Sequence, residues 1–379
     1  MKDNYKLCVV TAQKFPSGLA SNNRILSYCK GLAELNYQVD VLTITNSDEK
    51  NGNISAVNFF NLGPNLGNKF GVILIGIFNL SALLFKNNYK YLILVSNNAL
   101  LIIVLFCICK LKKISFIQEK SEFPFVLNYK GLIKEKMATL YVKYIYKLFD
   151  GMIIMTQPLL DYFNNKTKDG CKLFLMPMTV DVTRFLNIEK SDKYSNCITY
   201  CGYMGGNKDG VKNLIEAFSF IKEKHPNIQL LLLGSANATE LNEIIDYANR
   251  LAPNRVIFEG QVSRQKIPFY LKNSKILALA RPQSLQSLGG FPTKLGEYLS
   301  TKKPVIVTAV GDIPKYLKNR KNAFVVEPDN NHLFAEELSF IIDNYNSALE
   351  IASQGYNLTL NVFNYKQQAI NLDRFLKTF

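Results

Sequence analysis

Histidine is scarce in this sequence of 379 residues, and its cysteines do not come in closely spaced pairs. The chain has two histidines and seven cysteines, and no two cysteines form a Cys-x-x-Cys motif. Structural zinc sites and disulfide frameworks both require such residues at defined spacings. We therefore expect neither of them, and we predict reduced thiols of the kind found in the cytosol.

Long apolar runs are also missing. Residues 1–6 lead into a short strand without the apolar core and small-residue cleavage site of a signal peptide, so none is predicted. The apolar run 99–109 is shorter than the roughly 20 residues that span a bilayer. It predicts a buried helix of an α/β domain. The alternative is a helix at a membrane surface, tipped by the lysines that follow it.

Acidic residues are too few to balance the basic ones. The sequence has 45 Lys and Arg against 30 Asp and Glu, a net charge of +15. Residues 1–180 hold 21 basic and 11 acidic residues, and residues 181–379 hold 24 and 19, so the excess is concentrated in the first half. A basic surface favours an anionic partner, such as lipid, nucleic acid or a phosphorylated substrate. Nucleic acid is disfavoured, because no recognised nucleic-acid-binding motif is present.

One segment that is present, residues 289–299, has the features of an anion site. Its two glycines and Pro292 predict a loop. Thr293 is predicted to cap the short helix that follows. A helix that opens from a loop presents free backbone N–H groups and a partly positive end, so an anion is expected there.

Two charged residues of that helix, Lys294 and Glu297, are one turn apart and therefore lie on the same side. Lys294 adds a full positive charge in the first turn, and Glu297 adds hydrogen-bond acceptors. The combination suits a ligand with phosphate and hydroxyl groups, such as a nucleotide sugar. The alternative is a solvated surface pair between Lys294 and Glu297.

A glycine-rich loop after the predicted strand 197–201 forms a second candidate anion site. It contains Gly205, Gly206 and Lys208 and precedes a helix. A strand, a glycine-rich loop and a helix N-terminus together make a phosphate-binding arrangement. The loop is not a P-loop, because no Gly-Lys-Ser/Thr closes it.

These segments resemble the donor site of the retaining glycosyltransferases with the GT-B fold, family four. Phe291-Pro-Thr-Lys-Leu-Gly-Glu-Tyr-Leu-Ser-Thr-Lys-Lys-Pro-Val-Ile is similar to the donor-site signature, in the subgroup written Gly-Phe-Pro-Thr-Lys-Leu-Gly-Glu-Tyr-Leu. Most members carry a further Glu eight positions before Glu297, where this chain has Gly289. In the glycine-rich loop Lys208 takes the family's Lys position, and Tyr203 stands where many relatives have Arg.

The resemblance implies an α/β fold of the GT-B type, with two doubly wound, Rossmann-like domains that face each other across a cleft. Residues 1–184 would form the acceptor-side domain and residues 185–364 the nucleotide-sugar-binding domain. The last helix, 365–379, would cross back to pack on the first domain. The boundary rests on the segment around Arg184, which is similar to the family's interdomain link.

The resemblance also implies which residues bind the donor. Lys208 and Lys294 would stabilise the negative charge that develops on the leaving diphosphate, and Arg281 is a further candidate for this role. Glu297 would accept hydrogen bonds from ribose hydroxyls, and residues 260–261 would flank the nucleobase. The predicted donor-binding set is Gly205, Gly206, Lys208, Gly234, Gly260, Gln261, Arg281, Gly290, Phe291, Pro292, Thr293, Lys294 and Glu297.

Two carboxylates, Glu119 and Glu122, follow a predicted strand of the first domain, where α/β sheets bind ligands. Either would orient an acceptor hydroxyl or act as a base. The alternative is that they pair with Lys120 or another lysine. By the same resemblance, Ser17 and Gly18 belong to a loop that faces the acceptor and the donor's sugar; the alternative is an ordinary loop between a strand and a helix.

The implied reaction is transfer of a sugar from a nucleoside-diphosphate sugar to a hydroxyl of a sugar or lipid-linked acceptor, with retention, in cell-surface polysaccharide or glycolipid synthesis. No Asp-x-Asp stands in a donor-site context, so no metal and no cofactor are expected. One alternative is a nucleotide-sugar epimerase of the same fold, which the scarcity of histidine disfavours. The other is a non-catalytic membrane-associated protein, which the presence of Lys208, Lys294 and Glu297 disfavours.

Residues 127–149 are rich in Lys and Tyr and predict an amphipathic helix. Lysines and aromatic residues on one helix suit a surface of anionic lipid. The alternative is a solvated helix face whose tyrosines pack inward. Together these expectations place the protein in the cytoplasm, with peripheral attachment at the inner face of the plasma membrane.

Overall fold

The chain forms two compact units. The computed structural model describes residues 5–17, 20–65, 67–124 and 131–379. One unit comprises Met1–Thr179 and Tyr365–Phe379, and the other Val180–Asn364. The division falls slightly before the boundary predicted at residue 184, because Val180 already belongs to the second unit: its N–H donates to the carbonyl of Phe363 at 2.8 Å.

The first unit is built on an eight-stranded sheet. Its strands are β1 (Lys6–Thr11), β2 (Gln38–Thr43), β3 (Asn51–Ile54), β4 (Val57–Asn61), β5 (Tyr91–Val95), β6 (Ser115–Lys120), β7 (Gly151–Ile154) and β8 (Lys172–Leu175). Their order is β3-β4-β2-β1-β5-β6-β7-β8, with β3 antiparallel to β4 and the other neighbours parallel. Residues of the central strands are buried on both faces, which explains why these strands read as continuous apolar runs.

Helices cover both faces of this sheet. They are α1 (Ala20–Glu34), α2 (Lys69–Lys86), α3 (Ala99–Lys112), α4 (Leu132–Tyr144), α5 (Gln157–Asn164) and the last helix of the chain, α14 (Tyr365–Leu376). Side chains of α2, α3 and α5 share one core, and those of α1 and α14 share the core on the opposite face. Within the described residues, no helix combines the length and the apolar character needed to cross a membrane.

The last helix packs on α1, which confirms the predicted return to the first domain. Gly31 of α1 lies so close to α14 that a Cβ at this position would overlap the side chain of Ala369. Tyr37, just after α1, donates from its hydroxyl to the carboxylate of Asp373 at 2.7 Å.

The Lys- and Tyr-rich segment is shorter as a helix than predicted. It forms α4, continued by a 3₁₀ turn, Ile145–Leu148; residues 127–130 lie outside the described residues. Tyr146 is fully buried and Tyr141 packs against the same core, whereas Tyr144 is 55% exposed. The alternative in which the tyrosines pack inward therefore holds for two of these three.

The second unit contains a six-stranded sheet in which every neighbouring pair is parallel. Its strands are β9 (Cys197–Cys201), β10 (Gln229–Leu233), β11 (Val256–Gly260), β12 (Ile276–Leu279), β13 (Val305–Thr308) and β14 (Phe324–Val326). Its helices are α6 (Val211–Ile221), α7 (Ala238–Leu251), α8 (Ile267–Asn273), α9 (Leu285–Gly289), α10 (Lys294–Leu299), α11 (Ile313–Tyr316), α12 (Asn331–Asp343) and α13 (Tyr345–Asn361).

The strand order of the second sheet, β11-β10-β9-β12-β13-β14, reverses direction at β9. The chain moves outward to one edge through β10 and β11 and then returns to β12 on the other side of β9. At such a switch point the loops after the two central strands diverge and leave a crevice, where sheets of this kind bind ligands. The loops after β9 and β12 carry several of the predicted donor-binding residues.

Candidate functional site

The loops that follow β9, β10 and β12 touch one another through their backbones. Gly210 has a positive φ angle of 66°, and a Cβ at this position would overlap the carbonyl oxygen of Ala280 in a neighbouring loop. Gly234 has a positive φ angle of 135°, and a Cβ there would overlap the carbonyl oxygen of Gly202. Glycine is the residue that tolerates both the conformation and the contact. These glycines therefore fix the distance between the loops that form the site.

Lys294 forms a partly buried ion pair with Asp209. Its Nζ lies 2.5 Å from Oδ2 of Asp209, and the two side chains are 15% and 13% exposed. Nζ also donates to the hydroxyl of Tyr200 at 2.9 Å and lies 4.2 Å from the centre of that ring. Lys294 thus has partners other than Glu297, and the surface pair considered as an alternative is not formed.

Asp209 lies between two cations. Its Oδ1 is 3.5 Å from Nε of Arg281, and its Oδ2 is bound by Lys294. Burial acts to raise the pKa of Asp209, but the charges of Lys294 and Arg281 outweigh it and hold the pKa below its ordinary value. The carboxylate is therefore ionised at neutral pH, and the three side chains together retain a net positive charge.

Arg281 connects two loops of the site and is itself 1% exposed. Its Nε donates to the carbonyl of Lys208 at 3.2 Å, and its Nη1 donates to the carbonyl of Gly290 at 3.1 Å. These contacts join the loop after β9 to the segment that leads into α10. The sequence predicted Arg281 as a cation for the diphosphate, whereas in this structure the buried guanidinium holds loop carbonyls in place.

The glycine-rich loop is bound by a carboxylate. The N–H of Gly206 donates to Oε1 of Glu240 at 2.9 Å, and the hydroxyl of Tyr203 donates to Oε2 at 3.0 Å. Glu240 is also held by the side-chain amide of Asn237 at 2.7 Å. The carboxylate of Glu240 therefore already binds one of the N–H groups predicted to bind the diphosphate. Tyr203, at the position where many relatives have Arg, contacts the same carboxylate.

Glu297 forms an ion pair that the sequence did not predict. Its Oε1 lies 2.5 Å from Nη1 of Arg184, and both side chains are 19% exposed. Nη2 of Arg184 donates to the carbonyl of Arg264 at 2.9 Å.

The thiol of Cys201 lies near this ion pair. Burial, together with the nearby charge of Glu297, raises the pKa of the Cys201 thiol to about 12, so this cysteine stays protonated.

The loop before α10 is anchored in the core by Phe291 and Pro292, which are both buried. The ring of Phe291 lies 5.7 Å from those of Tyr316 and Phe363. Phe291 is therefore a packing side chain, and its backbone is the part that stays available to a donor.

Two local predictions for this loop were wrong. Gly289 is not part of the loop but the last residue of the short helix α9. Thr293 occupies the position before α10, yet its φ of −60° and ψ of −27° are already helical and its side chain makes no capping hydrogen bond. A capping hydroxyl needs an extended backbone to reach the next N–H groups, so the helical backbone explains the missing bond.

Four other predicted donor residues lie at the carboxyl edge of the same sheet or in its loops. Gly260 ends β11 with a φ of 76° and open space where a Cβ would lie. Gln261, the next residue, is exposed, Lys208 is half-buried and Gly205 is buried. The structure thus brings the predicted donor set to one edge of one sheet.

In the first unit, Glu119 is not available as a base. It lies within β6, and its Oε1 is 2.5 Å from Nε of Arg24, with the two side chains 3% and 2% exposed. Its Oε2 accepts from the hydroxyl of Tyr28 at 3.0 Å. Arg24 in turn donates to the carbonyls of Met176 and Pro177 at 2.8 and 2.6 Å. Buried and with both oxygens engaged, Glu119 is a structural residue in this conformation.

The remaining first-unit candidates are more accessible. Glu122 follows β6 and is exposed. Ser17 is half-buried and accepts a hydrogen bond from the side-chain amide of Asn22, and Gly18 lies outside the described residues. Lys120, between the two glutamates, is 4% exposed and donates to the side-chain carbonyl of Asn97. The alternative in which the glutamates pair with Lys120 is not observed for Glu119, whose cation is Arg24.

Comparison with known proteins identifies the second unit. A model of the family described as glycosyl transferases group 1 matches residues 182–358. Residues 182–358 belong to this family. An uncharacterized glycosyltransferase of Methanocaldococcus jannaschii, MJ1059, is 29% identical over 192 residues, which are 48% of this chain and 45% of that relative. The match therefore spans slightly less than half of the curated relative's length.

Solved structures of similar fold span nearly the whole chain. The sucrose-phosphate synthase of Thermosynechococcus elongatus has a TM-score of 0.80 at 16% identity and covers 99% of both chains. Anabaena HepE in complex with UDP and glucose has a TM-score of 0.77 at 13% identity and covers 99% of this chain and 100% of its own. WaaG, a glycosyltransferase involved in lipopolysaccharide biosynthesis, has a TM-score of 0.69 at 13% identity and covers 98% of this chain and 99% of its own. The predicted GT-B fold is thereby confirmed.

The group 1 domain contains functional candidates that sequence reasoning missed, namely Asp209, Arg184 and Glu240. In the sequence, Asp209 is only the residue that follows Lys208, and Arg184 is only part of the segment similar to the family's interdomain link. Glu240 lies in the first turn of α7, far from any recognised motif. Each is revealed by a contact across the fold, with Lys294, Glu297 and Gly206 respectively. Among the described residues, no three His, Cys, Asp or Glu side chains are grouped to hold a metal ion.

Proposed function

We propose that this protein is a retaining glycosyltransferase that uses a nucleoside-diphosphate sugar as donor. The observation that carries the proposal is the cluster of Lys294, Arg281 and Asp209, because it places a net positive charge at the switch point of a group 1 domain. UDP and UDP-glucose are bound by structures of similar fold, which supports a nucleotide-sugar donor. The sequence subgroup of the donor segment, and retention with it, rest on resemblance alone.

Lys294 would act on the leaving group. As the bond between sugar and diphosphate breaks, negative charge grows on the diphosphate, and a fixed cation lowers the barrier. Among the described residues, its Nζ binds two acceptors, Asp209 and Tyr200, which leaves its third N–H for a phosphate oxygen. Asp209 would be a positioning residue that orients the ammonium group of Lys294 before the donor arrives.

Other parts of the group 1 domain would hold the rest of the donor. Backbone N–H groups of the glycine-rich loop and Lys208 would contact the diphosphate, and Glu297 would accept hydrogen bonds from the ribose. The carboxylate of Glu240, bound to Gly206, would have to yield or share that N–H when the diphosphate binds. The chain supplies these cations itself, so we expect turnover that survives a chelator.

For the acceptor, we propose a hydroxyl of a sugar or lipid-linked sugar, in cell-surface polysaccharide or glycolipid synthesis in the cytoplasm. WaaG is involved in lipopolysaccharide biosynthesis, which supports trying such acceptors first. In the first unit, the exposed Glu122 remains the candidate for orienting the acceptor hydroxyl.

A donor panel tests the proposal. The full chain would be incubated with UDP-, GDP- and ADP-sugars, with and without lipid-linked and free sugar acceptors and with and without chelator, and the released nucleoside diphosphate would be measured. We expect release that depends on one donor class and increases with an acceptor, and the anomeric configuration of the product then reports retention. Isomerisation of the donor sugar without release would instead identify an epimerase. Binding of donors with neither outcome would identify a non-catalytic protein.

A further inference from the structure

Three neighbouring helices of the first unit, α2, α3 and α4, form one continuous outer layer. Their inward side chains belong to one core on the same face of the sheet. Nζ of Lys112, at the end of α3, donates to the carbonyls of Leu84 and Phe85 at the end of α2 at 3.1 and 2.8 Å. The hydroxyl of Tyr141 in α4 donates to the carbonyl of Asn97, just before α3, at 2.9 Å. Their outward sides therefore belong to one surface.

This surface is apolar where a surface exposed to water is normally polar. Twelve of the twenty large hydrophobic side chains exposed in the described part of the chain lie on these helices: five on α2, three on α3 and four on α4. We call them the apolar face: Phe70, Leu74, Ile75, Phe78, Phe85, Leu100, Ile103, Leu111, Ile133, Met137, Leu140 and Tyr144. Exposed apolar side chains concentrated in this way on neighbouring helices mark an interaction site.

The spacing within each helix shows that the exposure is organised. On α4, Ile133, Met137, Leu140 and Tyr144 recur every three or four residues and are 79, 61, 46 and 55% exposed. Residues at this spacing lie on one side of a helix and normally turn toward the core. Here the opposite side of α4, with Tyr141 and its neighbours, packs against the core instead.

The sequence favoured a fully buried helix for residues 99–109, but α3 is buried on one side only.

The same helices are strongly basic. Together with the 3₁₀ turn after α4, they carry one acidic residue, Glu135, and eight lysines: Lys69, Lys86, Lys110, Lys112, Lys134, Lys136, Lys143 and Lys147. Lysines beside exposed apolar and aromatic side chains are typical of helices that lie in a lipid interface, where the ammonium groups reach anionic headgroups and the apolar groups reach the acyl boundary.

Charge also argues against a second copy of the chain as the occupant. A two-fold interface places the same surface on both sides. It would bring two lysine-rich surfaces together with one glutamate on each, and like charges across an interface are unfavourable. A bilayer with anionic headgroups offers the opposite charge together with apolar volume.

We propose that the apolar face docks this protein on a bilayer containing anionic lipid, with α2, α3 and α4 lying in the interface and the exposed lysines of α4, Lys134, Lys136 and Lys143, on the headgroups. The proposal rests on the first unit alone and does not depend on the donor chemistry of the group 1 domain.

Vesicle co-sedimentation of the full chain tests it. Wild-type protein should pellet with vesicles of phosphatidylcholine and phosphatidylglycerol and be released at about 0.5 M salt, where screening is strong. The triple variant Phe78→Gln, Leu111→Gln and Ile133→Gln removes one strongly exposed side chain from each helix. Its partitioning should fall at least about a hundred-fold, because three apolar anchors are lost. The matched control is Phe220→Gln, Leu333→Gln and Leu360→Gln, exposed positions on the second unit, which should bind like wild type.

A second variant separates charge from apolar contact. Lys134→Gln, Lys136→Gln and Lys143→Gln should weaken binding about a hundred-fold at low salt and reduce its salt dependence. Wild-type protein that does not pellet, or pellets equally with phosphatidylcholine alone, would overturn the proposal. So would a face variant that binds like wild type. If the face variant instead converts a lipid-free dimer into a monomer in analytical ultracentrifugation, the apolar face is a contact between copies and the proposal fails.

Discussion

The two units each contain an ion pair at a position where the sequence predicted a catalytic residue, and the two pairs differ in their access to solvent. Glu119 and Arg24 in the first unit are 3% and 2% exposed, and the oxygens and nitrogens of both side chains bind neighbouring groups. Lys294 and Asp209 in the second unit are 15% and 13% exposed and lie in the loops beyond the strand ends.

The difference separates a structural pair from a binding pair. A carboxylate enclosed within a strand and bound on both oxygens holds parts of the fold together and cannot reach a substrate. A lysine in the first turn of a helix, with one N–H to spare and glycine loops around it, can exchange part of its contact for a ligand. Proximity to a strand end, which the sequence indicates, does not distinguish these cases, whereas the side-chain partners do.

Breaking the first-unit pair should have the largest effect, and it should fall on stability. Glu119→Ala leaves the guanidinium of Arg24 buried without its carboxylate, which typically costs about 3–5 kcal/mol. Urea unfolding measures the loss. Lys212→Ala, which removes a pair with side chains 48% and 60% exposed, is the control and should change the free energy of unfolding by less than about 1 kcal/mol. A stable Glu119→Ala protein that has lost turnover would reverse the comparison and make Glu119 catalytic.

Breaking the second-unit pair should act on turnover instead. Lys294→Ala removes a preorganised cation from the leaving diphosphate, and we expect turnover at saturating donor to fall about 100-fold or more while the melting temperature stays near that of wild type. Lys294→Arg should also be impaired, because a planar guanidinium does not replace a compact ammonium. Turnover like that of wild type in Lys294→Ala would contradict the assignment.

Glu297 sharpens the comparison, because its pair with Arg184 is intermediate in exposure, at 19% for each side chain. If Glu297 binds the ribose, Glu297→Gln loses a charged hydrogen bond worth roughly 1.5–3 kcal/mol, and donor affinity should fall about ten- to a hundred-fold with a smaller effect on the chemical step. Donor titration by calorimetry decides it. Unchanged affinity together with reduced stability would place Glu297 with Glu119, as the structural partner of an arginine.

The smallest effect, when it is measured per pH unit, concerns Lys120, a buried lysine next to Glu119 in β6. Burial lowers its pKa from 10.5 to about 7. Between these values the unfolded chain binds more protons than the folded one, so the free energy of unfolding should rise with pH from about 7 to 10.5, by at most about 1.4 kcal/mol per pH unit. Urea unfolding across this range in wild type and Lys120→Met tests it. Equal slopes in both proteins would show that Lys120 keeps an ordinary pKa.

Much of the fold was predictable, because buried parallel strands leave continuous apolar runs. Residues 197–201, which were predicted as a strand, form β9 with the same bounds. The hairpin of β3 and β4 was missed. Its two-residue turn uses Ser55 and Ala56 at φ angles of 54° and 64°, so the usual Asn-Gly or Gly-Gly signal is absent.

The site was predictable only in part. Glycines and lysines at a strand end are local features, and the sequence identified them. The partners Asp209, Arg184 and Glu240 are set by contacts between residues 34 to 113 positions apart, which local patterns do not encode. For the same reason the sequence did not show that Glu119 is buried against Arg24 or that the backbone of Thr293 is already helical.

The central claim, that the cluster around Lys294 binds the donor diphosphate, is tested most directly by titrating the nucleoside diphosphate of the active donor into three proteins. They are wild type, Lys294→Ala and Lys224→Ala, the last removing an equal charge from an exposed pair with Asp343 elsewhere on the second unit. We predict an affinity at least about ten-fold lower for Lys294→Ala and unchanged for Lys224→Ala. Equal affinity of all three proteins would contradict the account.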